Sequence, residues 1–173
     1  MTDPRAAFVE AATWHGSLER ANKMLAEHPE LRRSDIHTAA ILGDDVAVRQ
    51  FLVQDSRNAT ATSAPYGGDA LVHLCLSKYL RLDPSRSDGF LRAATALLDS
   101  GADPSSGFWH KGEFETALYG AAGVAHHAPL TRLLLDRGAD PNDIEAVYHS
   151  PETRASDAMK ALVATGKLTH ESL

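Results

Sequence analysis

The 173-residue sequence predicts an all-α solenoid: about five helix-turn-helix units stacked side by side, with short finger loops between them and an insertion in the third. Three observations carry this prediction. Small and apolar residues recur at helical spacing in short segments, as in Leu118, Ala121 and Ala122 followed by Leu130, Leu133 and Leu134. None of these segments is long enough to be a stable isolated helix, and a pair of them cannot bury its apolar face without neighbours of the same shape. The tetrapeptide Gly-Ala-Asp-Pro occurs at 101–104 and again at 138–141, a spacing of 37 residues that falls in the range of solenoid repeats.

The first unit covers about residues 6–31. Phe8, Ala11 and Ala12 mark the inner stripe of one helix, Gly16 the turn, and Leu18, Ala21, Met24 and Leu25 the second helix, with Pro29 beyond its end. It reads as a diverged or capping unit, since a terminal repeat has one face in water. The second, about 35–55, starts with Asp35 as N-cap, places Ala39 and Ala40 on its inner stripe, turns at Gly43-Asp44 and continues through Val48, Phe51 and Leu52. Residues 56–69 are polar and then turn-forming through Pro65, Gly67 and Gly68, a finger with Tyr66 near its tip.

The third unit, about 69–100, opens with Leu71, Leu74 and Cys75 at core positions, and its second helix arrives late. The insertion falls around Arg81-Leu-Asp-Pro-Ser-Arg-Ser-Asp-Gly89, a composition that predicts an exposed, mobile loop contributing little to stability. The fourth, about 116–138, has Thr116 as N-cap, Pro129 opening its second helix and Gly138 ending it in the left-handed conformation that a missing side chain permits. The fifth, about 145–166, repeats the first-helix register weakly in Glu145–Ser150, then sets Ala158, Leu162 and Val163 on one face. Thr169 followed by Glu171 and Leu173 reads as the opening turn of a further repeat, so the array is expected either to continue or to pair with a second copy around a two-fold axis; the alternative is a short tail that folds back on its own unit.

The fourth unit resembles an ankyrin repeat. Against the pattern T-P-L-H-x-A-A, G-H, V-V-x-L-L-L, G-A-D-V-N, the residues Thr116, Leu118, Ala121, Ala122, His126, Leu133, Leu134, Gly138, Ala139, Asp140 and Asn142 match. Ala117, Tyr119 and Pro141 depart from it, and one extra residue sits in the inter-helix turn. The resemblance implies one ankyrin repeat domain over residues 1–173 and a non-catalytic module that holds a partner protein on the concave face of fingers and first helices. It also implies a structural role for His126, whose ring at the turn position hydrogen-bonds backbone between repeats.

Composition narrows the function classes. Net charge is −6 with a pI near 5.8, which argues against a sequence-independent grip on nucleic acid. Basic residues gather only at Arg20, Lys23, Arg32 and Arg33, read as solvated outer faces. No apolar run approaches membrane-spanning length and the N-terminus lacks the order of a signal peptide, so a cytoplasmic protein is expected. Cys75, the single cysteine, takes the place of a small buried alanine and reads as a core thiol.

Nine histidines raise a competing reading, a metal-dependent regulator or small enzyme, with His126 and His127 beside His110 as its best cluster. Adjacent histidines point in different directions and no cysteine or carboxylate stands at zinc-site spacing, so no metal, cofactor or catalytic residue is assigned. A stoichiometric metal found by elemental analysis would favour that competitor. The partner-binding residues expected instead are Tyr66, Phe108, Trp109 and His110: large aromatics in a polar, glycine-flanked finger match the residue types of interface hot spots. The alternative for Trp109 is a finger that folds back and buries it, and Phe114, nearer the helix, is expected to be buried.

Overall fold

The computed structural model describes residues 3–152 and 157–172. The fold is mostly helical with one two-stranded sheet. Helices follow one another in pairs: α1 (Pro4–Ala12) and α2 (Leu18–Glu27), α3 (Ile36–Ile41) and α4 (Asp45–Gln54), α5 (Ala70–Cys75) and α7 (Ser87–Asp99), α8 (Ala117–Tyr119) and α9 (Ala128–Asp136), α10 (Ile144–His149) and α11 (Asp157–Ala164). A short α6 (Lys78–Leu82) lies between α5 and α7. The first helices of the pairs form one row, α1 against α3, α3 against α5, α5 against α8 and α8 against α10. A second row runs α4, α7, α9, α11.

Short helices need defined ends, and here the ends are written in the adjacent residues. Asp35, Asp69, Thr116 and Asp143 each accept a hydrogen bond from the backbone N–H three residues on, at 2.9, 2.9, 3.0 and 2.9 Å, so four first helices start in the same way. Each cap is worth about 1 kcal/mol. Gly101 and Gly138 end α7 and α9 with φ of 100° and 102°. Their N–H groups and those of Ala102 and Ala139 return to Leu98, Leu135, Leu97 and Leu134 at 3.0–3.1 Å, the same pair of reversed bonds twice. The repeated Gly-Ala-Asp-Pro is therefore a repeated helix stop.

The extra residue in the inter-helix turn of the fourth unit is absorbed as a π-helical turn, Gly120–Val124, in which Ala125 N–H bonds the Gly120 carbonyl at 2.9 Å. Small residues set the spacing of the rows. Ala39, Ala40, Ala121 and Ala122 are completely buried, and a Cβ on Gly120 would come within 2.9 Å of the Cys75 backbone, so α8 and α5 approach backbone to backbone. Leu71, Leu74, Leu97, Leu118, Leu130 and Leu134 fill the space between the rows. Among the described residues no helix is long and apolar enough to cross a membrane.

Residues 82–89 do not form the free loop that their composition predicts. Leu82 ends α6, Pro84–Arg86 make a 3-10 turn, and α7 begins at Ser87. Arg86 Nη1 donates to the Leu42 carbonyl at 3.0 Å and its guanidinium lies 4.8 Å from the centre of the Tyr79 ring. A Cβ on Gly89 would sit 2.6 Å from the Gly43 carbonyl oxygen, which is contact close enough to demand glycine. Leu82, Pro84 and Ser85 remain exposed, but the segment is clamped to α3.

At the C-terminus, the residues read as an opening turn do lie in a turn. Residues 169–172 make a turn and no helix: Thr169 N–H and Ser172 Oγ both bond Asn142 Oδ1, at 2.7 and 2.8 Å. Leu173 lies outside the described residues. Ala158 and Leu162 are buried, whereas Val163, one position on, turns away from them and is 55% exposed.

Candidate partner-binding surface

Strand β1 (Gly107–His110) pairs antiparallel with β2 (Glu113–Thr116) through a two-residue turn, Lys111-Gly112, in which both φ values are positive at 50° and 93°. That turn matches the twist of the strands it joins. Successive side chains of a strand point to opposite faces, so Phe108 and Glu115, partners across the ladder, go one way, and Trp109 and Phe114, also partners, go the other.

This alternation separates the nominated aromatics. Trp109 is 72% exposed, which resolves its two alternatives in favour of display. Phe114 is 41% exposed and its ring lies 5.2 Å from that of Trp109. The expectation that Phe114 is buried fails because residues 113–116 are strand, and strand parity places it with Trp109.

Tyr66, Phe108 and His110 converge behind the hairpin on a residue that sequence reading passed over, Trp14. Ring centroids of the three lie 6.0, 5.7 and 4.9 Å from the Trp14 ring, all edge-on, and Tyr66 stacks on Phe108 at 5.2 Å. Trp14 Nε1 donates to the Tyr119 hydroxyl at 3.3 Å and its backbone N–H to the Leu76 carbonyl at 2.8 Å. Phe108 is buried, and Tyr66 and His110 are half-buried. These three hold the finger tips against the first helices, and of the four nominated residues only Trp109 is presented outward. The available signal was a tryptophan placed just ahead of the His15-Gly16 turn of an alanine-rich helix, where a small residue would suffice.

Beyond the hairpin, α10 adds two residues that sequence reading also missed. Ile144 and Tyr148 are 66% and 71% exposed and four positions apart, hence on one helix face. Ile144 and Phe114 line a groove of about 440 Å³ whose other walls include Glu113, Asp140, Asp143 and Glu145. Exposed apolar surface thus runs from Trp109 through Phe114 and Ile144 to Tyr148.

Glu115, on the inner face of the hairpin, is 4% exposed and its Oε2 has no hydrogen-bond partner among the described residues. Burial, then the charges of Glu145, Glu113 and Asp143, push its carboxyl up to about 7. A folded pKa above the ordinary 4.5 means that stability is full below pH 4.5 and is lost as pH rises through 7. Glu115→Gln is therefore expected to leave the melting temperature unchanged near pH 4 and to raise it by a few degrees at pH 8. Thermal melts of both proteins across that range check this, and a difference that does not vary with pH would refute the assignment.

The chemistry-bearing residues of the competing reading lie apart. His110 packs on Trp14, whereas His127 caps α9, its Nδ1 accepting from Leu130 N–H at 3.1 Å while Nε2 faces Ser87 Oγ at 2.7 Å. Among the described residues no group of three or more His, Cys, Asp or Glu side chains is placed to hold a metal ion. Cys75 is fully buried and burial pushes its thiol well above the usual range, the reverse of nucleophile activation. The sequence matches no protein-family model and no curated protein.

Proposed function

We propose that this chain is a non-catalytic protein-interaction module of the ankyrin-repeat type, and that it holds a partner protein on the face made by the hairpin and α10, with Trp109 as anchor. The observation that carries this is the grouping of exposed apolar side chains. Of the eight large apolar residues exposed among the described residues, Trp109, Phe114, Ile144 and Tyr148 form one connected surface, while Val46, Val53, Leu82 and Val163 lie on α4, α6 and α11. A connected patch of this kind marks a contact site in a folded protein, and tryptophan and tyrosine dominate the energetics of such sites. The ankyrin-type reading is supported by the two rows of short helices, the twofold use of one helix stop, and a β-hairpin finger between the third and fourth pairs.

Trp109→Ala is expected to weaken partner capture from the source cell by about 2 kcal/mol, roughly thirtyfold, because a central aromatic anchor is worth that much. Its melting temperature should stay close to that of the parent, since Trp109 is mostly in solvent. Unchanged partner recovery with both Trp109→Ala and Ile144→Ala would remove this surface from the site.

A further inference from the structure

We propose that the groove between the hairpin and α10 takes a partner segment that presents a lysine or arginine beside an apolar side chain, an inference that rests on the partner-binding reading above. Phe114 and Ile144 supply the apolar floor, and Glu113, Asp140, Asp143 and Glu145 supply negative charge around it. Two of these acids are held in place: Asp143 caps Ala146 N–H at 2.9 Å and accepts from the Thr116 hydroxyl, and Glu145 lies 3.4 Å from His149 Nε2. Among the described residues no lysine or arginine pairs with any acid of the groove.

Several acids elsewhere in the molecule do have such a partner. Asp35 pairs with Arg5, Asp45 with both Arg49 and Arg92, Asp83 with Arg86, and Asp99 with Arg137. Buried Asp69 has no such arginine but accepts from Val72 N–H at 2.9 Å; at the groove, among the described residues, the acids outnumber the groups that satisfy them. Glu115 is an independent sign of the same deficit. It is almost completely buried, one carboxyl oxygen has no partner among the described residues, and the charges that act on it most are Glu145, Glu113 and Asp143, three acids of the groove. One cation entering here relieves repulsion among all four.

Other partner chemistries fit less well. A phosphate backbone or an acidic peptide meets like charge. A wholly apolar segment would cover Phe114 and Ile144 but desolvate the surrounding carboxylates without pairing them, which is costly. A basic residue flanked by an aliphatic or aromatic one satisfies both parts of the surface, and the complementary charge also speeds association.

The test is a random dodecapeptide library on phage, panned on the full chain, followed by fluorescence anisotropy with the recovered peptides as synthetic probes. Recovered peptides are expected to carry Lys or Arg next to an apolar residue, to bind about tenfold more weakly to Glu113→Gln/Glu145→Gln, and to weaken with salt. Glu113 is exposed, so Glu113→Gln alone serves as the variant should the double one lose its melting transition. Peptides that depend on Trp109 and Ile144 but are neutral or acidic, or basic ones indifferent to the Glu→Gln changes, would overturn the charge inference and leave the docking surface standing. A library that returns nothing sensitive to Trp109→Ala or Ile144→Ala would overturn the docking surface itself.

Discussion

A chain lacking residues 82–89 is expected to lose cooperative folding at room temperature. The segment looks expendable by composition, yet it connects three buried things. Arg86 satisfies the Leu42 carbonyl at the end of α3, covers the face of Tyr79, and is itself held by Asp83 at 2.9 Å. Gly89 brings α7 into backbone contact with Gly43, and the next residue, Phe90, is completely buried. A Cβ built on Gly43 would lie 2.8 Å from the Phe90 ring, so the two glycines and the phenylalanine form one close-packed joint between the second and third helix pairs.

Deletion pulls Phe90 out of that joint, which on the scale of Phe→Ala changes costs about 3–5 kcal/mol. It also leaves the Leu42 carbonyl without its Arg86 donor, about 1–3 kcal/mol more. Against a net stability of about 5–15 kcal/mol for a domain, that sum removes most or all of the margin. Circular dichroism melts decide it. A cooperative transition within about 5 °C of the parent would show that the segment is as dispensable as its composition predicts. Gly89→Val, which keeps chain length, should destabilise for the same steric reason.

Acidification is the second large effect expected. His37 on α3 and His73 on α5 stand 36 residues apart in the chain, and their Nδ1 atoms lie 3.1 Å from each other in the buried row. One ring must donate and the other accept, so the contact holds only while at least one of the two is neutral, and burial disfavours charge on either. Burial holds His37 down to about 4 and, with the charge of His37 next, His73 to about 3; Arg5 adds to both depressions and Asp35 pulls both the other way. Between the ordinary 6.5 and these values the unfolded chain binds protons that the folded chain refuses, so stability is full above pH 6.5 and falls as pH drops.

Each ring withdraws about 1.4 kcal/mol per pH unit once well below 6.5. Two rings over two units remove about 5 kcal/mol near pH 4.5, enough to unfold a domain at the low end of the usual range of about 5–15 kcal/mol. Glu115 works with the opposite sign in part of this range, but it is one group against two. Urea midpoints measured from pH 7.5 to 4.5 should decline steadily, and His73→Leu should flatten the slope by about one ring's worth whatever it does to stability at neutral pH. A parent protein whose midpoint is level across that range would contradict the buried neutral pair.

Much of this structure was legible in the sequence because much of it is local. Asp35 and Thr116 cap helices by bonding an N–H three residues away, and Gly138 stops one through its own φ. The alanine stripes follow from the 3.6-residue period; the extra residue counted in the inter-helix turn of the fourth unit did not say what form the turn takes, and the structure has a π turn at Gly120–Val124. Such features need only neighbours along the chain, so residue identity and spacing suffice to find them. The hairpin was foreseen as a finger, but a finger does not state its parity; whether Trp109 or Phe108 faces solvent was decided by the pairing of residues 107–110 with 113–116.

The remaining misses share a cause in sequence distance. Arg86 finds its acceptor 44 residues away, and Trp14 reaches the Tyr119 hydroxyl across 105. Residues 82–89 and Trp14 had no local pattern to mark them, since polar loop composition and a lone aromatic are equally compatible with exposure and burial. The acidic groove is a third instance: Phe114 and Glu113 come from the hairpin, and Ile144 and Glu145 from α10, about thirty positions later. The sequence alone determined where helices begin and end and which faces are small enough to stack, because those depend on hydrogen bonds and periodicity within a few residues. Only the tertiary structure decided which apolar residues were left outside and which carboxylates were gathered around them, because both are properties of what the stacked pairs bring together in space.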